Sequence, residues 1–115
     1  GQIKNNIKIS ELRLHSSELE YIKIVLNSIY EADDFISKDI NLEDVYLKIN
    51  QSKKDIEKAV DYAKSSYELG LVDLMYLLNA QQQLHNISIQ ENKVISDKYK
   101  NKIDLILSIG GSLEY

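Results

Sequence analysis

The sequence predicts an all-α fold, a long antiparallel α-helical hairpin of the coiled-coil type. The 115 residues contain no proline, and Gly70 is the only glycine between Gly1 and Gly110. Apolar residues recur at helical spacing on both sides of Gly70. Because glycine takes a positive φ at little cost, an isolated glycine within a helical pattern is the expected point of chain reversal. We therefore expect one domain, residues 1–115, with two helical arms joined by a tight turn.

The first arm is predicted at about residues 5–68 from a row of apolar side chains. After a small drift in phase, the row resumes and continues to the turn. A drift is expected where a helix of 3.6 residues per turn carries a heptad-like pattern, and it is also compatible with a break. The row consists of Leu12, Leu19, Ile22, Leu26, Ile29, Ile36 and Ile40, then Tyr46, Ile49, Ile56, Val60, Ala63 and Tyr67.

A break would lie near residues 37–41 and would bend the chain into a three-helix bundle. Asn41 is a good N-cap, and Asp44 stands at the third helical position after it. In favour of a continuous helix, Asp44 and Lys48 form an acid-then-base pair at i,i+4, and neither glycine nor proline enforces a stop. The continuous hairpin is the preferred prediction, and the bundle is its alternative.

The turn is predicted at residues 68–72, the second arm at about 73–108 and a tail at 109–115. Asp73 is placed to cap the second arm. Gly110 and Gly111 are expected to end it, with Leu113 folding back on the last turn. The apolar face of this arm comprises Leu74, Leu77, Leu78, Leu84, Ile87, Val94, Ile95, Ile103, Ile106 and Leu107.

The two arms are predicted to differ in length. At about 1.5 Å per residue, the first arm spans roughly 90 Å and the second roughly 55 Å. Folded back at Gly70, the second arm covers only the stretch from about residue 33 to 67. Apolar residues from Leu12 to Ile29 are then left over, and each forfeits about 1.5–3 kcal/mol if it stays in water. Other chain segments or subunits must cover them, unless the chain bends into the bundle.

Composition excludes several classes of function. The net charge is −4 with the signs interspersed, so no nucleic-acid partner is predicted. The absence of cysteine is compatible with an oxidising compartment. His15 and His85 stand on different arms, and the carboxylate clusters have lysines close by. We therefore predict that the chain is not an enzyme and has no catalytic residue, metal site or cofactor. Because it opens on Gly1 without methionine, we expect a segment of a longer protein.

One stretch carries a resemblance to a known family. It reads Tyr67-x-x-Gly70-Leu-Val-Asp73-x-x-x-Leu-Leu-Asn79-Ala80-Gln81-x-x-Leu84. This pattern resembles the second repeat of TolC-like outer-membrane efflux proteins. The resemblance extends to the opening Gly1–Lys4, to the segment 25–34 and to the closing Ile109-Gly110-Gly111.

The resemblance implies a homotrimeric channel with a β-barrel in the outer membrane and a helical tunnel in the periplasm. It exports small molecules or proteins together with a periplasmic adaptor and, indirectly, an inner-membrane transporter. The chain would be the periplasmic helical hairpin of the second repeat, packed against the rest of its protomer and of the trimer. The alternative is a free-standing coiled-coil module for protein interaction.

The resemblance also implies two groups of site residues around the turn. One group would contact the adaptor and shape the turn, and the other would line the tunnel constriction. Family members often carry acidic residues at the constriction, and this chain does not, which leaves Asp73 as the nearest carboxylate. The first group is Tyr67, Gly70, Leu71 and Asp73, and the second is Tyr76 and Asn79.

Overall fold

Two α-helices make up the fold. The computed structural model describes residues 1–113, and the environment of side chains for residues 1–111. Helix α1 is Gln2–Glu68 and helix α2 is Leu74–Leu113. The described residues contain no strand, and the prediction of an all-α antiparallel hairpin is confirmed.

Helix α1 is a single α-helix of 67 residues that runs through residues 37–41 without a break. The alternative of a three-helix bundle is therefore wrong. The chain offers no glycine or proline to stop the helix there. Lys48 Nζ lies 2.9 Å from Asp44 Oδ2, which adds an i,i+4 pair of the kind that supports an exposed helix.

Helix α2 continues past the point where the sequence predicts its end. The expected C-cap at Gly110 and Gly111 is wrong, because both residues are helical and the helix ends at Leu113. Among the described residues, Gly70 is the only glycine with a positive φ. A helical glycine costs about 1 kcal/mol relative to alanine, which weakens a helix but does not stop it. The predicted fold-back of Leu113 lies outside the described side chains.

The chain divides into two compact units. The turn-containing unit comprises Ser37–Lys102, and the terminal unit comprises Gly1–Ile36 and Ile103–Tyr115. In the turn-containing unit, buried and half-buried residues recur every three or four positions on both helices, which is the coiled-coil pattern. We call the residues at this spacing the seam, and half-buried Asn50, Ser88, Ile95 and Asp97 lie directly beside it. It comprises Asp39, Leu42, Tyr46, Ile49, Lys53, Ile56, Val60, Ala63 and Ser66 on α1, and Leu77, Ala80, Leu84, Ile87, Glu91, Val94, Lys98 and Asn101 on α2.

The apolar row predicted on α1 is not one face. Ile36 and Ile40 are 50% and 64% exposed, whereas their neighbours Phe35 and Asp39 are half-buried. The apparent drift in phase therefore joins two different rows. In the second half of the predicted row, all residues except Tyr67, which is 41% exposed, belong to the seam. The first half belongs to another face of the helix.

In the terminal unit, α2 reaches further along α1 than the prediction of residue 33. Ser108 Oγ donates a hydrogen bond to Glu31 Oε2 at 2.9 Å. Leu107 and Ile24 line one shallow surface groove. The five helical residues beyond Ser108 extend the reach further, and one of them, Gly111, lines the same groove. The inequality of the two helices is confirmed, with 67 residues in α1 and 40 in α2.

Candidate interaction site at the hairpin turn

The turn at residues 69–73 begins with a Schellman motif that ends α1. Gly70 N–H donates to the Tyr67 carbonyl at 3.0 Å, and Leu71 N–H donates to the Ser66 carbonyl at 2.9 Å. Gly70 has φ 74°, the left-handed conformation that this motif requires and that glycine adopts most readily. The predicted reversal at Gly70 is therefore present, and its bonds satisfy carbonyls that the end of a helix leaves open.

Asp73 begins α2 as its N-cap. Its Oδ1 accepts a hydrogen bond from the Tyr76 amide N–H at 2.9 Å. This is the bond from an N-cap side chain to the third helical residue, and it satisfies one open donor of the first turn. A carboxylate at a helix N-terminus also interacts favourably with the helix dipole. The capping role predicted for Asp73 is therefore observed.

The turn exposes large apolar side chains. Leu69 and Leu71 are 75% and 72% exposed, and Met75 is 60% exposed. Tyr67 and Tyr76 are each exposed by more than two fifths of their surface. Contiguous exposed apolar surface on a soluble protein commonly marks a site of protein interaction. We call Tyr67, Leu69, Leu71, Met75 and Tyr76 the turn patch.

The structure brings the first predicted group together at the turn, and the second group lies on α2. Tyr67, Gly70, Leu71 and Asp73 all lie in the turn or directly before it. Tyr76 and Asn79 are both exposed and three residues apart on α2, which places them on one face of that helix. They lie beside the seam residues Leu77 and Ala80 and not within it.

Sequence reasoning missed Leu69 and Met75 as members of the turn patch. The available signal was the position of two leucines inside the turn itself, at residues 69 and 71. Val72 in the same turn is half-buried, whereas Leu69 and Leu71 stay in contact with solvent unless a partner covers them.

A second exposed surface lies on α1 in the terminal unit. Half-buried residues of that unit include Ser28 and Phe35, and the isoleucines directly after them, Ile29 and Ile36, are exposed. One residue rotates a helix by about 100°, so the exposed row lies well away from the face that meets α2. We call this row the second apolar row. Its members are Leu12, Leu19, Ile22, Leu26, Ile29 and Ile36, each at least 46% exposed.

Charged side chains lie within the seam of the turn-containing unit. Lys53 Nζ lies 3.1 Å from Glu91 Oε1, with side chains 26% and 16% exposed. Lys98 Nζ donates a hydrogen bond to Glu43 and lies 4.7 Å from the centre of the Tyr46 ring. That hydrogen bond, and then the charges of Glu43 and Asp39, raise the pKa of Lys98 above its ordinary value, while partial desolvation opposes the rise.

The described residues hold no group of three or more His, Cys, Asp and Glu arranged to bind a metal ion. His15 and His85 are both exposed. Within the same residues, neither helix has a stretch sufficiently long and apolar to span a membrane.

Comparisons of this chain with models of protein families, with curated proteins and with solved structures gave no match.

Proposed function

We propose that this chain forms part of the periplasmic tunnel wall of a trimeric outer-membrane channel. Such a channel exports small molecules or proteins with the help of an adaptor and an inner-membrane transporter. The proposal is supported by the resemblance of the segment from Tyr67 to Leu84 to TolC-like proteins and by two physical features of the hairpin, its second apolar row and its turn patch.

The second apolar row is the observation that carries the proposal. A helix in a simple hairpin needs one apolar face, which packs on its partner helix. A helix in the wall of a tube has a neighbour on each side and needs two such faces. In the terminal unit, helix α1 has the face that meets α2 and, about 100° around its axis, the second apolar row. Each apolar side chain of that row gains about 1.5–3 kcal/mol when a neighbour covers it.

The turn patch supports the part of the proposal that concerns the adaptor. In this arrangement the turn points away from the outer membrane and meets the tips of the adaptor. Transport then needs no catalytic residue. Helices around the turn repack between a closed and an open state, and the adaptor favours the open state by binding it more tightly.

Cross-linking in the full-length protein tests the proposal. This chain contains no cysteine, so a single introduced thiol within it is unambiguous. Tyr76→Cys should give covalent dimers and trimers with a short bis-maleimide in isolated outer membranes, because three copies meet near that position. Tyr62→Cys is a matched control, since Tyr62 is also exposed and stands on the other helix close to the turn. Purely monomeric Tyr76→Cys protein, or its absence from the membrane fraction, would overturn the proposal.

A free-standing interaction module is the second candidate. The turn patch favours it equally, because a binding hairpin also presents apolar side chains at its tip. The unequal helices count against it, since an isolated hairpin has no use for uncovered residues on the longer helix. The same fractionation separates the two candidates, because a free-standing module is recovered with the soluble proteins.

A further inference from the structure

Charged residues, among them Lys53, Glu91 and Lys98, occupy places in the seam where a coiled coil usually has apolar residues. The Lys53–Glu91 pair is largely buried, and Lys98 lies against the Tyr46 ring with Glu43 beside it. Removing such charges from water costs free energy that the attraction between them roughly offsets, so buried pairs add little net stability. Their best-attested use in coiled coils is to fix how two helices align along their length.

The spacing of these residues makes them sensitive to a slide of one heptad. Tyr46 and Lys53 are seven residues apart on α1, and Glu91 and Lys98 are seven apart on α2. Because the helices are antiparallel, moving α2 by one heptad toward the turn places Lys98 opposite Lys53. Two like charges then meet in the seam, and the carboxylate of Glu91 faces Val60.

A slide in the other direction is less costly but still unfavourable. It places Lys98 opposite Asp39, so this lysine keeps a carboxylate partner. Lys53 then lies opposite Leu84, and Glu91 lies opposite Tyr46. Both members of the best-buried pair lose their partner, and an unpaired buried charge is strongly destabilising.

We propose that the Lys53–Glu91 and Lys98–Glu43 pairs are a register lock that holds the two helices of the turn-containing unit in one alignment. The turn also favours the observed alignment of the two helices. A slide by one heptad moves the reversal away from Gly70, the residue whose positive φ it requires. The register lock concerns the hairpin alone and does not depend on the proposed channel function.

Disulfide formation in the 115-residue chain reports the alignment. Ile56→Cys with Ile87→Cys places two thiols in the layer next to the Lys53–Glu91 pair in the observed register. Ile56→Cys with Val94→Cys places them opposite each other only after a slide toward the turn. We expect the first pair to oxidise at least about tenfold faster than the second, since one buried charge left unpaired is worth more than the 1.4 kcal/mol of a tenfold ratio.

Charge reversal then tests the lock itself. With Lys53→Glu, the observed register opposes two carboxylates, whereas the slide toward the turn pairs the new carboxylate with Lys98. The tenfold preference should fall to about one or reverse. Lys54→Glu makes the same charge change at an exposed position and should leave the preference intact. The double exchange Lys53→Glu with Glu91→Lys should restore it.

Two results would overturn the lock. One is an unchanged preference in Lys53→Glu with helicity retained by circular dichroism, because the pair then has no influence on alignment. The other result applies if Lys53→Glu loses its helicity and forms neither disulfide. If the double exchange does not recover the native cross-link in that case, the pair does not act through complementary charge.

Discussion

Asp73 Oδ1 accepts a hydrogen bond from the Tyr76 amide N–H at 2.9 Å, and this bond begins α2. We expect Asp73→Ala to lower the free energy of unfolding by about 1 kcal/mol, the usual cost of losing an N-cap. Urea denaturation followed by circular dichroism measures it. Asp61→Ala is the matched control, because Asp61 is exposed within α1 and caps nothing, and it should change stability by less than about 0.5 kcal/mol. Equal effects of the two variants would contradict a capping role.

Gly70 and Gly110 should respond to alanine with opposite signs. A Cβ added at either position meets nothing within 4 Å, so only the backbone conformation decides the outcome. Gly70 has φ 74°, and alanine there costs about 1–2 kcal/mol. Gly110 is helical, and alanine there should raise stability by up to about 1 kcal/mol. Thermal unfolding of the two variants checks the signs. A stabilised Gly70→Ala would mean that the turn does not require a positive φ.

The pair of Lys98 with Glu43 predicts a dependence of stability on alkaline pH. The hydrogen bond to Glu43 raises the pKa of Lys98 in the folded state above 10.5, its value in an unfolded chain. The folded chain therefore holds this proton more tightly. The stabilisation is fully present below pH 10.5 and is lost as the pH rises through the folded-state pKa.

Comparison with a variant isolates this effect from the eight tyrosines, which also titrate at alkaline pH. Lys98→Met should remove the part of the alkaline decline that Lys98 causes, measured as urea denaturation at pH values on both sides of 10.5. Lys54→Met, at an exposed position, should keep the decline of the parent chain. Parallel pH profiles for the parent chain and Lys98→Met would be inconsistent with a raised pKa.

Local features of the sequence predicted the turn, whereas the choice between helix faces needed the structure. Gly70 and Asp73 act through bonds within a few residues, so their types and positions were sufficient. Helix α1, by contrast, has two apolar rows, and periodicity alone cannot say which of them α2 covers. Asp39 lies in the seam while the neighbouring Ile40 is exposed, which reverses the order that hydrophobicity predicts.

The end of α2 was mispredicted for a different reason. Two adjacent glycines usually suggest a helix end, but each costs only about 1 kcal/mol and neither removes a hydrogen bond. Helix α2 continues through both glycines, and the sequence has no proline that would end it there. The extended part of α2 places Gly111 beside Ile24 in one surface groove, which shortens the uncovered part of α1.

The second apolar row predicts self-association of the 115-residue chain. Leu19 and Leu26 are 53% and 46% exposed, so replacing them removes little packing within the chain. If copies cover each other through this row, Leu19→Glu with Leu26→Glu should lower the average mass in sedimentation velocity toward that of the monomer. Each buried leucine contributes about 1.5–3 kcal/mol, so the double variant should weaken association by at least about a hundredfold.

A control with the same added charge separates apolar contact from general repulsion. Ser17→Glu with Asn27→Glu also adds two negative charges at exposed positions of α1, but outside the second apolar row. This control should associate nearly as well as the parent chain. At high salt, where repulsion between exposed charges is screened, the control and the parent chain should have the same average mass. If both double variants lose association equally, the cause is the added charge and not the loss of apolar contact. If the parent chain stays monomeric at high concentration, the second apolar row does not mediate self-association.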